Sequence, residues 1–305
     1  MSSSQYGDSN GYSSFSYDGL RRQTESTMPG DAWHTGNKKK TVSYITNTSA
    51  DNTSYSYGLL TGETATDEDG HSLTTFYTLL GQKVQENRGT ENRTRYIYNT
   101  LGQLTDVLMP GHNPADPNHT SYGYEYDAMG RVVKKRYPGA EYIQYWYDHA
   151  DRVAFMQDGM LRQKGRYRFM LYDAFGRLAV QGTCSGAGVA AIASTVPTAT
   201  FTQNSGGFLS TDYVVSNGVS MTDPTLEIVN YYDSYAFLYG SLSSMFSPVA
   251  AQSGTCMKGL TTGSVTAVSN GGFIYSLNLY DDKGRMVETR NTMPDASLTE
   301  RLTTT

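Results

Sequence analysis

The stretch "YEYDAMGRVVKKRYPG", residues 124–139, decides the fold. Its two leading tyrosines alternate, as do residues on one face of a strand. Asp127 stands where a turn begins, because its carboxylate can accept N–H groups from residues just ahead. Gly130 supplies the positive φ that closes a type I turn with a bulge. Arg131 opens the return strand close enough to pair with Asp127, so the stretch predicts a β-hairpin.

The same phrase recurs along the chain, which makes it a building unit. Clean copies are "YDAFGR" from Tyr172 and "YDDKGR" from Tyr280. Two degenerate copies carry Arg21 and Asp151 where glycine is expected, and "YYDSYAFL" from Tyr231 keeps the opening and loses the close. The degenerate copies begin at Tyr17, Tyr77, Tyr98 and Tyr147. The spacing in the middle of the array fits two strands and two turns per unit.

The composition points to the same fold class. The 305 residues include 25 tyrosines and 31 glycines but only 10 phenylalanines. Tyrosine favours half-buried strand surfaces, and glycine marks turns and bulges. No segment shows a long 3.6-residue period. The sequence therefore predicts an all-β fold of consecutive antiparallel β-hairpins, with few helices.

The repeats resemble those of the Rhs/YD-repeat family, and the resemblance extends from about Tyr17 to Arg285. The Tyr-rich and Ser/Thr/Gly-rich style is similar to the version found in large surface proteins of Bacteroides-type gut bacteria. The resemblance implies a curved or spiralling sheet of successive hairpins that forms a hollow shell. In several family members the shell encloses a C-terminal toxin or belongs to a cell-surface protein.

The resemblance also implies partners: other parts of a longer parent polypeptide, or an enclosed toxin domain. Family members with a toxin carry a self-cleaving Asp-Pro motif after the repeats. Here Asp116-Pro117 and Asp223-Pro224 lie away from that setting, so the cleavage activity is not carried over. Repeat units occur close to both ends of the sequence, which favours a fragment of a longer array.

Three segments are predicted along the chain. Residues 1–182 form the hairpin array, and residues 273–305 form a final unit with a polar tail. Between them, residues 183–272 are expected to be a Gly/Ser/Thr-rich insertion with short strands. Only Asp212 is charged between Gly182 and Met221.

Charge and hydropathy limit the partners. The formal net charge of -5 and the pI of about 5.5 argue against nucleic acid. No apolar run reaches the roughly 18 residues of a membrane helix, and "MSSSQYGDSN" does not resemble a signal peptide. We expect an extracellular or cell-surface location on the family resemblance. The lysines at 38–40 are interpreted as a solvated loop or edge, and Cys184 and Cys256 could pair but need not.

Three other patterns resemble sites of chemistry. "HNPADPNH" groups His112, Asp116 and His119 in a Pro/Asn-rich loop, interpreted as an exposed hairpin loop rather than a metal site. "GAGVAA" at 186–191 meets a loose dinucleotide pattern, but the β-branched chain that follows predicts a flexible loop. "TDEDG" at 66–70 lacks the spacing of a calcium loop and predicts a hairpin turn at Asp69-Gly70.

The functional hypothesis is a non-enzymatic structural segment of a cell-surface or secreted protein, with no catalytic, cofactor or metal residues. The alternative is a carbohydrate- or protein-binding adhesin module that uses exposed tyrosines and Trp146. The structural interpretation of Trp146 is packing against a neighbouring hairpin. A remoter alternative is a hydrolase within residues 182–272.

Overall fold

The structure is a computed structural model that describes residues 10–36, 38–89, 92–115, 120–246, 257–268 and 271–292, and the backbone of 299–303. It is nearly all-β, as the sequence predicts. The chain divides into two compact units, Met1–Tyr142 and Ile143–Thr305. We call these compact units unit 1 and unit 2. The three segments predicted from the sequence describe repeat content and stay a prediction.

Unit 1 is an antiparallel meander in which each strand pairs with the next one along the chain. Short turns make this topology accessible, because antiparallel neighbours need only a hairpin connection. Its strands are β1 (Ser14–Tyr17), β2 (Gln23–Thr27), β3 (Lys40–Thr46), β4 (Thr61–Thr66), β5 (Ser72–Tyr77), β6 (Lys83–Arg88), β7 (Asn92–Tyr98), β8 (Leu104–Leu108), β9 (Ser121–Tyr126) and β10 (Val132–Arg136).

Unit 2 continues the hairpin pattern and adds a covering layer. Its strands are β11 (Ile143–Tyr147), β12 (Val153–Gln157), β13 (Tyr167–Tyr172), β14 (Leu178–Cys184), β15 (Gly186–Ala187), β16 (Thr198–Phe201), β17 (Tyr213–Ser216), β18 (Met221–Thr222), β19 (Thr225–Tyr232), β20 (Thr261–Ala267), β21 (Phe273–Tyr280), β22 (Met286–Thr292) and β23 (Thr299–Thr303). β11 to β14 pair in order, β14 pairs with β19, and β19 to β23 again pair in order.

The predicted insertion, 183–272, therefore holds two strands of the main sheet of unit 2, β19 and β20. The remaining strands of this range form small pairs beside the sheet: β15 with β18, and β16 with β17. The backbone of β16 pairs with the main sheet through Thr198, which lies opposite Tyr172 at the end of β13.

Helices are short throughout the described residues. They span Asp31–Thr35, Gly159–Gln163, Val189–Ile192 and Ser241–Met245, with 3₁₀ turns at Ser49–Asp51 and Phe208–Ser210. The helical turn at Val189–Ile192 corrects the flexible loop predicted for "GAGVAA". Burial of Ile192 against the core of unit 2 fixes that turn, and sequence pattern alone did not indicate this contact.

A β-bulge accompanies the repeated phrase. In the β9–β10 hairpin Tyr126 pairs with Val132 and Glu125 pairs with Lys134, so Val133 has no opposite residue. The extra residue reverses the faces of the strand beyond it. This explains why "VVKK" lacks clean apolar–polar alternation. Comparable register shifts occur beside Tyr17, Tyr77, Tyr98, Tyr147, Tyr172, Tyr232 and Tyr280.

The two units bury very different cores. In unit 2, fully buried strand residues such as Phe169, Val229 and Leu277 belong to one core cluster with Ile192 and Phe246, which lie outside the main strands. The core cluster of unit 1 consists of Leu60, Phe76 and Val84, with Tyr98 packed against it. Unit 1 thus depends more on hydrogen-bonded turns than on apolar burial.

Candidate functional site

The turn at Asp127 has the geometry that its sequence predicts. Asp127 Oδ1 accepts the backbone N–H groups of Met129 and Arg131, each at 2.9 Å. Asp127 Oδ2 accepts Arg131 Nε at 2.7 Å. Desolvation raises the pKa of Asp127, but the hydrogen bonds from Arg131 outweigh it and hold that pKa below its usual value. Gly130 has φ 83°, the left-handed conformation that glycine adopts without strain.

The same bonds recur in five other copies, where an Asp or Asn oxygen accepts the N–H groups two and four residues ahead, at Asp18, Asn99, Asp148, Asp173 and Asp281. In the copy that begins at Tyr77 the hydroxyl of Thr78 takes this place and accepts the N–H of Gln82 at 3.2 Å. Arg21 and Asp151, the residues in place of glycine, also take positive φ, at 60° and 61°. The turn conformation therefore persists where the glycine is lost.

A further copy of this turn lies at residues 66–71, where the sequence did not predict a repeat unit. "TDEDGH" forms the same turn, because Asp67 Oδ1 accepts the N–H groups of Asp69 at 3.0 Å and His71 at 2.8 Å. The predicted hairpin turn at Asp69-Gly70 is thus confirmed, but its central residue is Asp67. Thr66 and His71 replace the tyrosine and arginine of the phrase, which hid the match. The spacing Asp-x-x-Gly was the signal available.

The tyrosine before the aspartate links one hairpin to the previous one. Tyr126 donates its hydroxyl hydrogen to the carbonyl of Leu104 at 2.7 Å, and Tyr172 donates to Val153 at 2.9 Å. Desolvation raises the pKa of both phenols, so they remain protonated donors. Every acceptor is the first residue of the preceding return strand. The other such pairs are Tyr98 to Lys83, Tyr232 to Leu178 and Tyr280 to Thr261.

In unit 2 the turn of one hairpin is tied to the start of the next by an ion-pair network. Arg177 Nε donates to Asp173 at 2.7 Å, while its two terminal nitrogens donate to Asp233 at 2.9 and 2.6 Å. Hydrogen bonding to Asp233 raises the pKa of Arg177 and lowers that of Asp233. Asp233 also accepts the N–H of Gly259 at 2.6 Å. In "YYDSYAFL", which lacks the Gly-Arg end of the phrase, Asp233 therefore bonds to groups distant in sequence, namely Gly259 and Arg177.

The structure describes some of the remaining sequence candidates. His112 Nδ1 lies 2.9 Å from Thr120 Oγ1, and Asp116 and His119 are outside the described residues. In the described part of the chain no three His, Cys, Asp or Glu side chains are grouped as metal ligands would be. Cys184 is a buried free thiol, and Cys256 lies outside the described residues. The lysines at 38–40 contact acidic side chains at 2.7 to 3.8 Å.

Trp146 packs within unit 2. Its ring makes an edge contact with Tyr167, with centroids 5.5 Å apart, and lies against the main core cluster. The geometry therefore supports the interpretation of Trp146 as a residue packed within the fold.

A cavity of about 370 Å³ lies on the covered face of unit 2. Its lining includes the strand residues Leu226, Val265 and Tyr275 and the segments around Asp212 and Tyr239. The other lining residues are Leu209, Ser210, Thr211, Val229, Tyr231, Phe237, Gly240, Ser241, Leu242, Met245 and Phe273. Most of these residues are aromatic or aliphatic, and Ser210, Thr211, Asp212 and Ser241 add polar groups to the walls.

Asp212 is the charged residue of this lining and was noted in the sequence only as an isolated charge. Its exposed fraction is 4%. Its Oδ1 accepts the N–H of Gly206 at 2.9 Å, and its Oδ2 accepts the hydroxyl of Tyr239 in a short hydrogen bond. That hydrogen bond raises the pKa of Tyr239. The backbone around it has positive φ at Leu209 and Ser210 as well as at Asp212.

Comparison with known proteins finds no matching family model and no matching curated protein. Among solved structures, the chain aligns with a TcdB2-TccC3 crystal structure at 15% identity and a TM-score of 0.38. A Photorhabdus luminescens Tc holotoxin pore with a TccC3 variant gives 15% and 0.40, and a TcdB2-TccC3-Cdc42 structure gives 13% and 0.36.

Each alignment covers 96% of this chain but only 14% of the other. Because every one of these TM-scores is below 0.5, the fold description rests on the strand pairings given above. Within the described residues, no helix has the length and apolar character needed to cross a membrane.

Proposed function

We propose that this chain is a structural, non-enzymatic segment of an Rhs/YD-repeat cell-surface or secreted protein, in which it forms part of a β-shell or scaffold. The observation that carries the proposal is the repeated joint: an Asp- or Asn-centred turn in most units and, in five of them, a tyrosine hydroxyl bond to an earlier return strand. Such joints hold strands in register along an array, and they involve the very residues that define the repeat.

Apolar residues at the turn tips support a place inside a larger assembly. Leu80, Leu101, Met129 and Phe175 each occupy the position before the turn glycine, and their exposed fractions are 89%, 81%, 69% and 82%. Turn tips are usually polar, and exposed apolar groups in a regular series are typical of contact surfaces. In the proposed scaffold these tips meet other parts of the parent polypeptide or an enclosed domain. We also propose that the parent polypeptide is of the kind found in large surface proteins of Bacteroides-type gut bacteria, whose Tyr-rich and Ser/Thr/Gly-rich repeats this sequence resembles.

The test is electron cryomicroscopy of the parent polypeptide, paired with limited proteolysis. We expect β1–β10 and β11–β23 to lie within a continuous wall of hairpins, with the tips of Leu80 and Leu101 covered. A wall in which these tips face open solvent would contradict the assembly role. A separate tethered domain with enzymatic turnover, lost in Asp212→Asn, would replace the proposal with the hydrolase alternative.

The adhesin alternative has weaker support, because Trp146 is packed against Tyr167. A glycan array separates the two functions: binding abolished by Trp146→Ala in a protein that keeps its thermal unfolding midpoint would favour the adhesin.

A further inference from the structure

The cavity of unit 2 combines features that the scaffold role does not use. Its volume of about 370 Å³ is within the range of small-molecule sites. Strained backbone lies in its lining, since Leu209, Ser210 and Asp212 have φ of 53°, 58° and 61°. Non-glycine residues hold this conformation at a cost, and such strain is concentrated at binding and catalytic sites.

The buried carboxylate of this cavity is bonded to neutral groups. Asp212 is almost fully buried, and it accepts hydrogen bonds from the Gly206 N–H and the Tyr239 hydroxyl, which are both neutral. Across the described part of the chain, no lysine or arginine forms an ion pair with it. A buried carboxylate is costly unless a positive group compensates it. A carboxylate oxygen can accept more than one hydrogen bond, so each Asp212 oxygen can accept a donor beyond the one that it has.

The walls favour a particular kind of positive group. Phe273 and Tyr275 line the cavity with their centroids 6.4 Å apart, and Tyr239 also lines it, with an exposed fraction of 36%. Aromatic faces attract organic cations, and the attraction grows when the cation is shielded from water. Leu242 and Met245 add aliphatic surface for an apolar tail.

We propose that this cavity binds a small organic cation, namely an alkyl- or arylammonium whose N–H groups donate to Asp212 and whose apolar part packs on the aromatic walls. A neutral ligand of the same shape satisfies the walls and leaves the carboxylate uncompensated. The proposal does not depend on the scaffold function, because unit 2 carries the cavity whichever assembly contains it.

The test compares phenethylammonium with its neutral isostere 2-phenylethanol by calorimetry on the full chain at low salt. We expect the ammonium to bind at least about tenfold more tightly than the alcohol. Asp212→Asn keeps the size and one acceptor of the side chain, and it should reduce the preference to about twofold or less. The matched control Asp282→Asn removes the same charge from an exposed turn of unit 2 and should leave both affinities unchanged.

Tyr239→Phe is a second variant that keeps the ring and removes one neutral donor to the carboxylate. It should retain or increase the preference for the ammonium. Equal binding of the two probes by the unaltered protein, or no binding of either, would overturn the proposal without any variant. A loss of preference in Asp282→Asn comparable to that in Asp212→Asn would also overturn it, by showing a nonspecific charge effect.

Discussion

Unit 1 and unit 2 use the same turn but stabilise their sheets differently. In unit 2 the segments outside the main strands cover one face and bury Phe169 completely, whereas unit 1 gathers only a small cluster around Phe76. Since both units keep the Asp-centred turn, local hydrogen bonds set the hairpin geometry. Apolar burial then varies with whatever the connecting segments add.

The largest expected effect is the loss of an aromatic core residue. Phe169→Ala should lower the free energy of unfolding of unit 2 by about 3–5 kcal/mol, because Phe208 and the strand around Gly182 pack tightly on the ring. Urea denaturation, with hydrogen exchange as the readout for each unit, measures this loss of free energy of unfolding. Phe76→Ala is the matched variant in unit 1 and should cost less, since its smaller cluster can collapse. An equal or larger cost would contradict the difference between the cores.

The next effect concerns the turn itself. Asp173→Ala removes the carboxylate that accepts two backbone N–H groups and Arg177 Nε. It should lower the free energy of unfolding by about 2–3 kcal/mol. Asp18→Ala removes the same contacts from a more exposed turn, so its loss should be clearly smaller. Thermal unfolding of both variants provides the measurement. Equal losses would mean that burial does not modulate the turn.

A smaller effect is expected from the tyrosine joint. Tyr126→Phe in unit 1 and Tyr232→Phe in unit 2 each delete a hydroxyl donor but keep the ring. Each substitution should lower the free energy of unfolding by about 1 kcal/mol. The backbone around Leu104 and Leu178, which loses the hydroxyl donor, should then open locally more often. Denaturant midpoints and hydrogen exchange at β8 and β14 report this. Tyr57→Phe is the control, because this tyrosine is 71% exposed.

The smallest effect is a pH dependence. The pKa of Asp281 is lowered chiefly by the N–H of Arg285, and that of Asp127 is lowered by the donors of Arg131. A lowered folded-state pKa means that the stabilisation is present above the unfolded-state value of 3.8 and is lost as pH falls through the folded value. Stability should be flat from neutral pH to about pH 5 and should then fall.

Asp127→Asn keeps an acceptor for the N–H groups and cannot titrate, so the acid-induced decline should become shallower in unit 1. Acid titrations of unfolding midpoints compare the variant with the unaltered chain. A steeper decline in the variant would contradict the assigned sign.

The repeat could be predicted because its causes are local. Asp127, Gly130 and Arg131 interact within five residues, so their spacing specifies the turn. The covering layer of unit 2 could not be predicted in this way, because Ile192 and Phe246 become core residues only through distant partners. The cavity was missed for the same reason: Asp212 meets Tyr239 from a separate segment. The tyrosine bonds were only half predicted, since the sequence indicates a hydroxyl that needs an acceptor but not which carbonyl supplies it.

The tyrosine bond has a consequence for how such an array can change. Tyr172 reaches back 19 residues to its acceptor, and Tyr232 reaches back 54 residues to an equivalent one. The anchoring point is therefore independent of the length of chain between them, and lengthening a connection costs little entropy. New material can be spliced into these connections while the strands keep their alignment. Such an array can acquire features like the aromatic cavity while its sheet stays unchanged.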